Sequence, residues 1–193
     1  MGELLLIALG AALVNNLVLV QLLGVCPFIG GSQRVEGAIG LSLAMGLVLT
    51  VAAGATQLVD RYVLRPNDLE YLRLFALLLV IGLAVGLIEL MIRRLSPLLQ
   101  SVLGIYVPVV ATNCAVLGVA LINTAASRSF VAAMFYATGA AVGFGLVVTV
   151  FAALRERVVL ADVPLVFRGA PITFITAGIL SLAFMAFAGF ARL

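Results

Sequence analysis

The sequence predicts an all-α integral membrane protein whose six transmembrane helices form two inverted repeats of three. Of its 193 residues, 65% are hydrophobic and 10% are charged, whereas a soluble domain is about half apolar and a quarter charged. We therefore treat residues 1–193 as one membrane domain. Six apolar segments are long enough to cross a hydrocarbon core of roughly 30 Å: residues 4–23, 37–59, 74–92, 102–122, 130–154 and 172–190.

A sequence repeat relates the two halves of the chain, about 1–97 and about 98–193. The segment that begins Asp60-Arg61 is matched by a similar segment that begins Glu156-Arg157. Each half has three spans, and three is an odd number, so the halves would enter the membrane in opposite directions. Such inverted repeats place a site near the bilayer midplane, where two broken helices meet. We expect spans 1 and 4 to be the broken helices.

Amide and thiol side chains interrupt these same two spans. Asn15, Asn16 and Asn113 lie in apolar runs, and the only two cysteines of the chain, Cys26 and Cys114, lie close to them. Because the hydrocarbon core offers no water, we expect all three asparagines to find partners inside the protein, where they satisfy backbone groups freed at the breaks. Polar groups at that depth tend to mark a functional site.

Cys26 comes ten residues after Asn16, so a continuous helix would carry it about 15 Å further along the axis and away from Cys114. The two cysteines can approach each other only if the chain turns back within residues 24–31, where Pro27 and three glycines permit a departure from helix.

The residues alone leave several roles open for the cysteines. They could be buried small apolar residues or a disulfide, and Asn113 could simply join helices. They could also bind iron, since thiolates hold iron–sulfur clusters, but a cluster usually needs four ligands and this chain has two thiols. A second subunit would then supply the others.

The charged residues exclude some functions. The chain has no histidine, which removes imidazole metal ligands, and its scattered net charge of +3 does not indicate nucleic-acid binding. Glu89 is the one acidic residue within an apolar run; it either lines an ion path or pairs with Arg93 one helical turn away. The arginine distribution and the absence of a basic residue near the N-terminus favour both termini in the periplasm.

Several motifs resemble those of the RnfA/NqrE family of membrane subunits. The first span carries NNLVLV (15–20) and LGVCPF (23–28), and the fourth carries TNCAVLGVAL (112–121). ADVP (161–164) and ITAG (175–178) are also similar to that family. The resemblance extends over the whole chain, with matching length and six spans.

This resemblance implies a subunit of the Rnf complex of the bacterial inner membrane, an oxidoreductase that moves electrons between ferredoxin and NAD and couples them to sodium or proton translocation. The subunit would not be catalytic alone. It would share a two-iron two-sulfur cluster with RnfE, its own ligands being Cys26 and Cys114. RnfD, RnfG, RnfB and RnfC would be further partners. The supporting residues would be Asn15, Asn16, Gly24, Pro27, Asn113 and Gly118.

Three alternatives stay open at this point. An NqrE-like subunit of a sodium-pumping quinone reductase is the nearest, although such chains usually have Glu-Asn where this one has Asn15-Asn16. A small inverted-repeat secondary transporter also fits broken helices and predicts solute flux through this chain alone. A purely structural subunit predicts neither flux nor an iron signal, only loss of assembly when it is deleted.

Overall fold

The computed structural model describes residues 2–31, 35–66, 70–95, 106–111, 113–161, 164 and 167–190, and within these residues the only regular elements are helices. Two of the helices continue as a π-helical turn: Gly2–Leu9 continues through Gly10–Val14, and Val35–Val59 continues through Asp60–Leu64. The helices are α1 (Gly2–Leu9), α2 (Val25–Gly31), α3 (Val35–Val59), α4 (Arg73–Leu95), α5 (Tyr106–Ala111), α6 (Cys114–Ala125), α7 (Phe130–Val159) and α8 (Ala170–Phe190).

The all-α membrane fold is confirmed for the described residues. Three helical segments, Val35–Leu64, Arg73–Arg94 and Phe130–Val159, are long and apolar enough to cross a membrane, and they correspond to predicted spans 2, 3 and 5. Shorter apolar helices lie in predicted spans 1, 4 and 6. The predicted start of span 4, residues 102–105, lies outside the described residues, and the arrangement as two inverted repeats stays a prediction.

Span 1 differs from the predicted segment, because its helix ends at Val14 and a new helix begins only at Val25. The chain turns at Leu22 and Gly24, which have φ angles of 55° and 82°. The turn therefore lies at the beginning of the expected segment 24–31, and Pro27, which follows it, does not cause it. Pro27 is the third residue of α2, where a helix does not need the missing N–H group.

The core is built around α3 and α7, the pair of helices with the most extensive mutual packing. Their apolar side chains are almost completely buried where the two helices meet, whereas α4 buries one stripe and exposes the rest. Such outward apolar surface is expected where a helix faces lipid. The buried stripe of α4 consists of Leu77, Ile81, Val85 and Ile88.

Close contact between α1 and α7 depends on two glycines one helical turn apart. A Cβ atom added to Gly139 would lie 2.7 Å from the Cα of Ala8, and one added to Gly143 would lie 2.7 Å from the Cα of Ala12. Moving four residues along α7, from Gly139 to Gly143, also moves the contact four residues forward along the first helix, from Ala8 to Ala12, so the two helices run parallel. Small residues allow this approach, which is a common way for membrane helices to associate.

We expect Gly139→Ala to destabilise the chain by about 1–3 kcal/mol, because the new methyl group must push α1 away from α7. Gly82→Ala is the matched control, since nothing lies within 4 Å of a Cβ atom at that position of α4, and alanine is the better helix former by about 1 kcal/mol. Unfolding of the detergent-solubilised chain in SDS measures both. Equal stabilities of the two variants would contradict the close contact.

Candidate functional site

The break in span 1 is the loop of residues 15–24, and Asn16 holds its first half. The side chain is fully buried, at 0% exposure. Its Nδ2 donates to the carbonyl oxygens of Ala12 (2.8 Å) and Gly143 (3.2 Å). Its Oδ1 accepts from the backbone N–H groups of Val18 (3.1 Å) and Leu19 (3.4 Å). One amide thus satisfies backbone groups at the end of the first helix and within the loop, as expected from the sequence, and ties the loop to α7.

The loop is also fixed from α8. The hydroxyl of Ser181 donates to the carbonyl of Leu19 at 2.7 Å, so a second helix holds the loop at a point where no helical hydrogen bond is available. Asn15 differs from the expectation that all three asparagines lie inside the protein. It is exposed, and its Oδ1 accepts from Nε2 of Gln21 at 3.3 Å. This pair belongs to the surface of the chain.

The break in span 4 lies between α5 and α6, and Asn113 is the N-cap of α6. Its Oδ1 accepts from the backbone N–H of Ala115 at 3.0 Å, which satisfies one of the donors that every helix leaves unpaired at its start. Its Nδ2 lies 3.7 Å from Sδ of Met45 on α3. Cys114 follows as the first residue of α6, so the cap fixes where this thiol lies.

The two breaks meet at Gly24 and Cys114. The backbone N–H of Gly24 donates to Sγ of Cys114 across 3.2 Å. Gly24 has a φ of 82°, a left-handed conformation that glycine adopts without strain. A Cβ atom there would lie 3.2 Å from Cβ of Ala115 and 3.5 Å from Nδ2 of Asn113. The backbone approaches the start of α6 this closely because residue 24 has no side chain.

Gly118, another residue singled out by the sequence, also contacts the loop of span 1. A Cβ atom added to it would lie 2.6 Å from Cδ1 of Leu23. The loop therefore packs on α6 over more than one turn, from Cys114 to Gly118.

Cys26 is the second residue of α2, and the rest of this short helix is anchored on α7. Phe28 stacks on Phe151 with ring centroids 4.3 Å apart, and it is buried. Nη1 of Arg155 donates to the carbonyl of Ile29 at 2.9 Å, near the C-terminal end of α2, where carbonyl groups lack helical partners. These contacts hold the helix that presents Cys26.

The two cysteines are free thiols, and both are exposed at the surface of this chain, so they are not buried within it. Gly24, which contacts Cys114, precedes Cys26 by two residues. Two residues span at most about 7 Å, which places the Cα of Cys26 within about 12 Å of the Cys114 sulfur. In the described part of the chain, no group of three or more metal-ligating side chains lies together. Both thiols are accessible from outside the chain.

Glu89 lies on α4. Its Oε1 accepts from Nη2 of Arg93 at 2.6 Å, one helical turn along the same helix. This is the pair with Arg93 that the sequence offered as one of two roles for Glu89.

We expect Asn16→Leu to destabilise the chain by several kcal/mol, since each buried backbone group left without a partner costs about 1–3 kcal/mol. Asn15→Leu is the control at the adjacent position, and its effect should stay below about 1 kcal/mol because Asn15 is exposed. The same SDS titration compares the two variants. If both lowered stability equally, Asn16 would not be the residue that holds the break.

Comparison with known proteins agrees with this membrane architecture. Residues 4–191 match the family described as "Rnf-Nqr subunit, membrane protein". A protein of Pseudomonas aeruginosa is 55% identical over 193 residues, which cover 100% of both chains. Relatives from Aliivibrio fischeri (51% identical, 100% of both chains) and Azoarcus sp. (52%, 98% of both) are similar. The names of all three describe a component of an "ion-translocating oxidoreductase complex". The chain belongs to the Rnf-Nqr family of membrane subunits.

Proposed function

We propose that this chain is an electron-carrying membrane subunit of an ion-translocating oxidoreductase complex. The names of its full-length relatives support this proposal, because at 50–55% identity the chain shares their whole length. Within the complex it would carry electrons between ferredoxin and NAD, coupled to sodium or proton movement across the bacterial inner membrane. The chain contributes a binding site and is not catalytic alone.

Cys26 and Cys114 would bind a two-iron two-sulfur cluster together with an RnfE-like partner. The observation that carries this assignment is the hydrogen bond from Gly24 N–H to Cys114 Sγ at 3.2 Å. It joins the two breaks and brings the segment before Cys26 to the other cysteine. Hydrogen bonds to ligand sulfur are also among the features that set the reduction potential of iron–sulfur clusters.

The exposure of the thiols and their number fit a shared site. A two-iron two-sulfur cluster takes four ligands, and the whole chain has two cysteines and no histidine. Both thiols are open at the surface of the single chain, where the ligands of a second subunit can reach the same iron atoms. A site closed within one chain would need neither this exposure nor a partner.

When bound, such a cluster would supply a one-electron carrier within the membrane. The residues of this chain would hold and shield it. The Gly24 N–H donates to the sulfur of Cys114, and Cys114 is the first residue of α6, at the positive end of that helix. Both features favour the negative charge of an iron-bound thiolate. Phe28 and Val116, each two residues after a cysteine, are buried; they would close the protein side of the site to water, which also influences redox potential.

Alanine substitution of each cysteine tests this function in the purified complex. We expect Cys26→Ala and Cys114→Ala each to lose essentially all of the membrane two-iron signal in paramagnetic resonance, two iron atoms per complex by metal analysis, and electron flow. The reason is that three thiolates do not complete a four-thiolate site.

Val20→Ala is the matched control, because Val20 is an exposed apolar residue of the loop 15–24 and its side chain cannot bind iron. This variant should keep the iron, the spectrum and the activity of the parent complex. If the two cysteine variants also kept all three, the thiols would be structural and the proposed cluster site would be wrong.

A further inference from the structure

A second candidate site lies along α1 and its π-helical turn, from Leu6 to Asn15, beside the start of α7. It is an open groove of about 510 Å³, within the size range of small-molecule sites. One wall is α1 with its π-helical turn, and Arg128 and Tyr136 lie at the groove. Leu6, Leu9 and Leu13 line it and are all exposed. They follow one face of the helix over roughly 10 Å.

Arg128 carries a positive charge that no described carboxylate neutralises. Its Nη1 donates to Oδ1 of Asn123 at 3.0 Å, and its guanidinium lies over the ring of Tyr136, 4.1 Å from the ring centroid. The carboxylate of Asp60 is already held by Arg65 (3.1 Å) and Arg73 (3.3 Å). The remaining donors of Arg128 can therefore serve an anion in the groove.

Tyr136 holds the guanidinium of Arg128 at the groove. The residue is only 3% exposed, and its ring lies beneath the guanidinium, which gains a cation–π interaction there. The buried ring therefore fixes the position of Arg128 in the wall of the groove.

We propose that this groove binds one anionic phospholipid of the surrounding bilayer. A guanidinium binds phosphate oxygens through two parallel hydrogen bonds, and the adjoining leucine face of α1 suits an acyl chain that lies along the helix. The combination of one unneutralised arginine and an apolar wall that runs into the membrane fits this ligand. An acidic protein segment would instead call for polar partners along that wall.

A tryptophan reporter makes the site measurable, because the chain contains no tryptophan. Leu9→Trp places the reporter in the groove, and Leu83→Trp places it on α4, at a position that is 64% exposed and does not line the groove. Leu13→Trp is a second groove reporter if Leu9→Trp does not fold. The full chain is reconstituted in phosphatidylcholine vesicles, and quenching by brominated phosphatidylglycerol is compared with quenching by brominated phosphatidylcholine.

We expect the groove reporter to show an apparent preference of about fivefold for the anionic lipid, the usual contribution of one basic side chain near an anionic surface. The α4 reporter should show a ratio near one. Arg128→Gln should bring the groove ratio to near one. Arg61→Gln should leave the groove ratio unchanged. This control removes an exposed arginine from the π turn of α3, the turn that also contains Asp60.

Two results would overturn the proposal. If the groove reporter with Arg128 intact gave a quenching ratio near one, the groove would contact a protein neighbour and not an anionic lipid. If Arg128→Gln left the ratio unchanged, Arg128 would not be part of the site. Competition with excess inorganic phosphate distinguishes a lipid headgroup from a free phosphate ion as the ligand. It should not reduce the preference for the lipid, and if it did, the groove would be a site for free anions instead.

Discussion

Every break in a membrane helix frees backbone groups that the bilayer cannot satisfy, and the rest of this structure depends on how the chain meets that requirement. Asn16 meets it in span 1 with four hydrogen bonds, and Asn113 meets it in span 4 as a helix cap. In hydrocarbon each unpaired group costs several kcal/mol. Without these amides, continuous helices would be the more stable alternative, and the cysteines would lie far apart.

The break in span 1 is stable because α7 and α8 support the loop between α1 and α2. Gly143 has two roles at this point: its missing side chain admits α1, and its carbonyl accepts from Asn16. Phe151 and Arg155, two and three turns further along α7, hold α2. One long helix thus fixes both ends of the broken span, which gives a rigid frame for a site made of loop and helix ends.

Much of the site could be predicted from the sequence, because asparagine and cysteine within apolar runs are conspicuous. The helix breaks, the hydrogen-bonding roles of Asn16 and Asn113, and the pairing of Glu89 with Arg93 all follow from local chemistry. The turn lies at Leu22 and Gly24, at the beginning of the predicted segment, but the part that Pro27 was expected to play in it was wrong, since proline in a first helical turn and proline that breaks a helix look alike in sequence. Ser181, Phe151 and Arg155 were missed because only the tertiary fold brings them to residues more than a hundred positions away. The exposure of Asn15 likewise depends on which side of the loop α7 covers.

The proposed site requires that the two breaks bring Cys26 and Cys114 together. The native chain can test this without new cysteines, because it has only these two and both are exposed. Nitroxide labels on both thiols of the full chain, compared with the singly labelled Cys26→Ala and Cys114→Ala variants, report their separation by paramagnetic resonance. We predict strong dipolar broadening in the doubly labelled chain. A spectrum equal to the sum of the two single-label spectra would contradict the shared site, since it would place the cysteines on separate parts of the membrane domain.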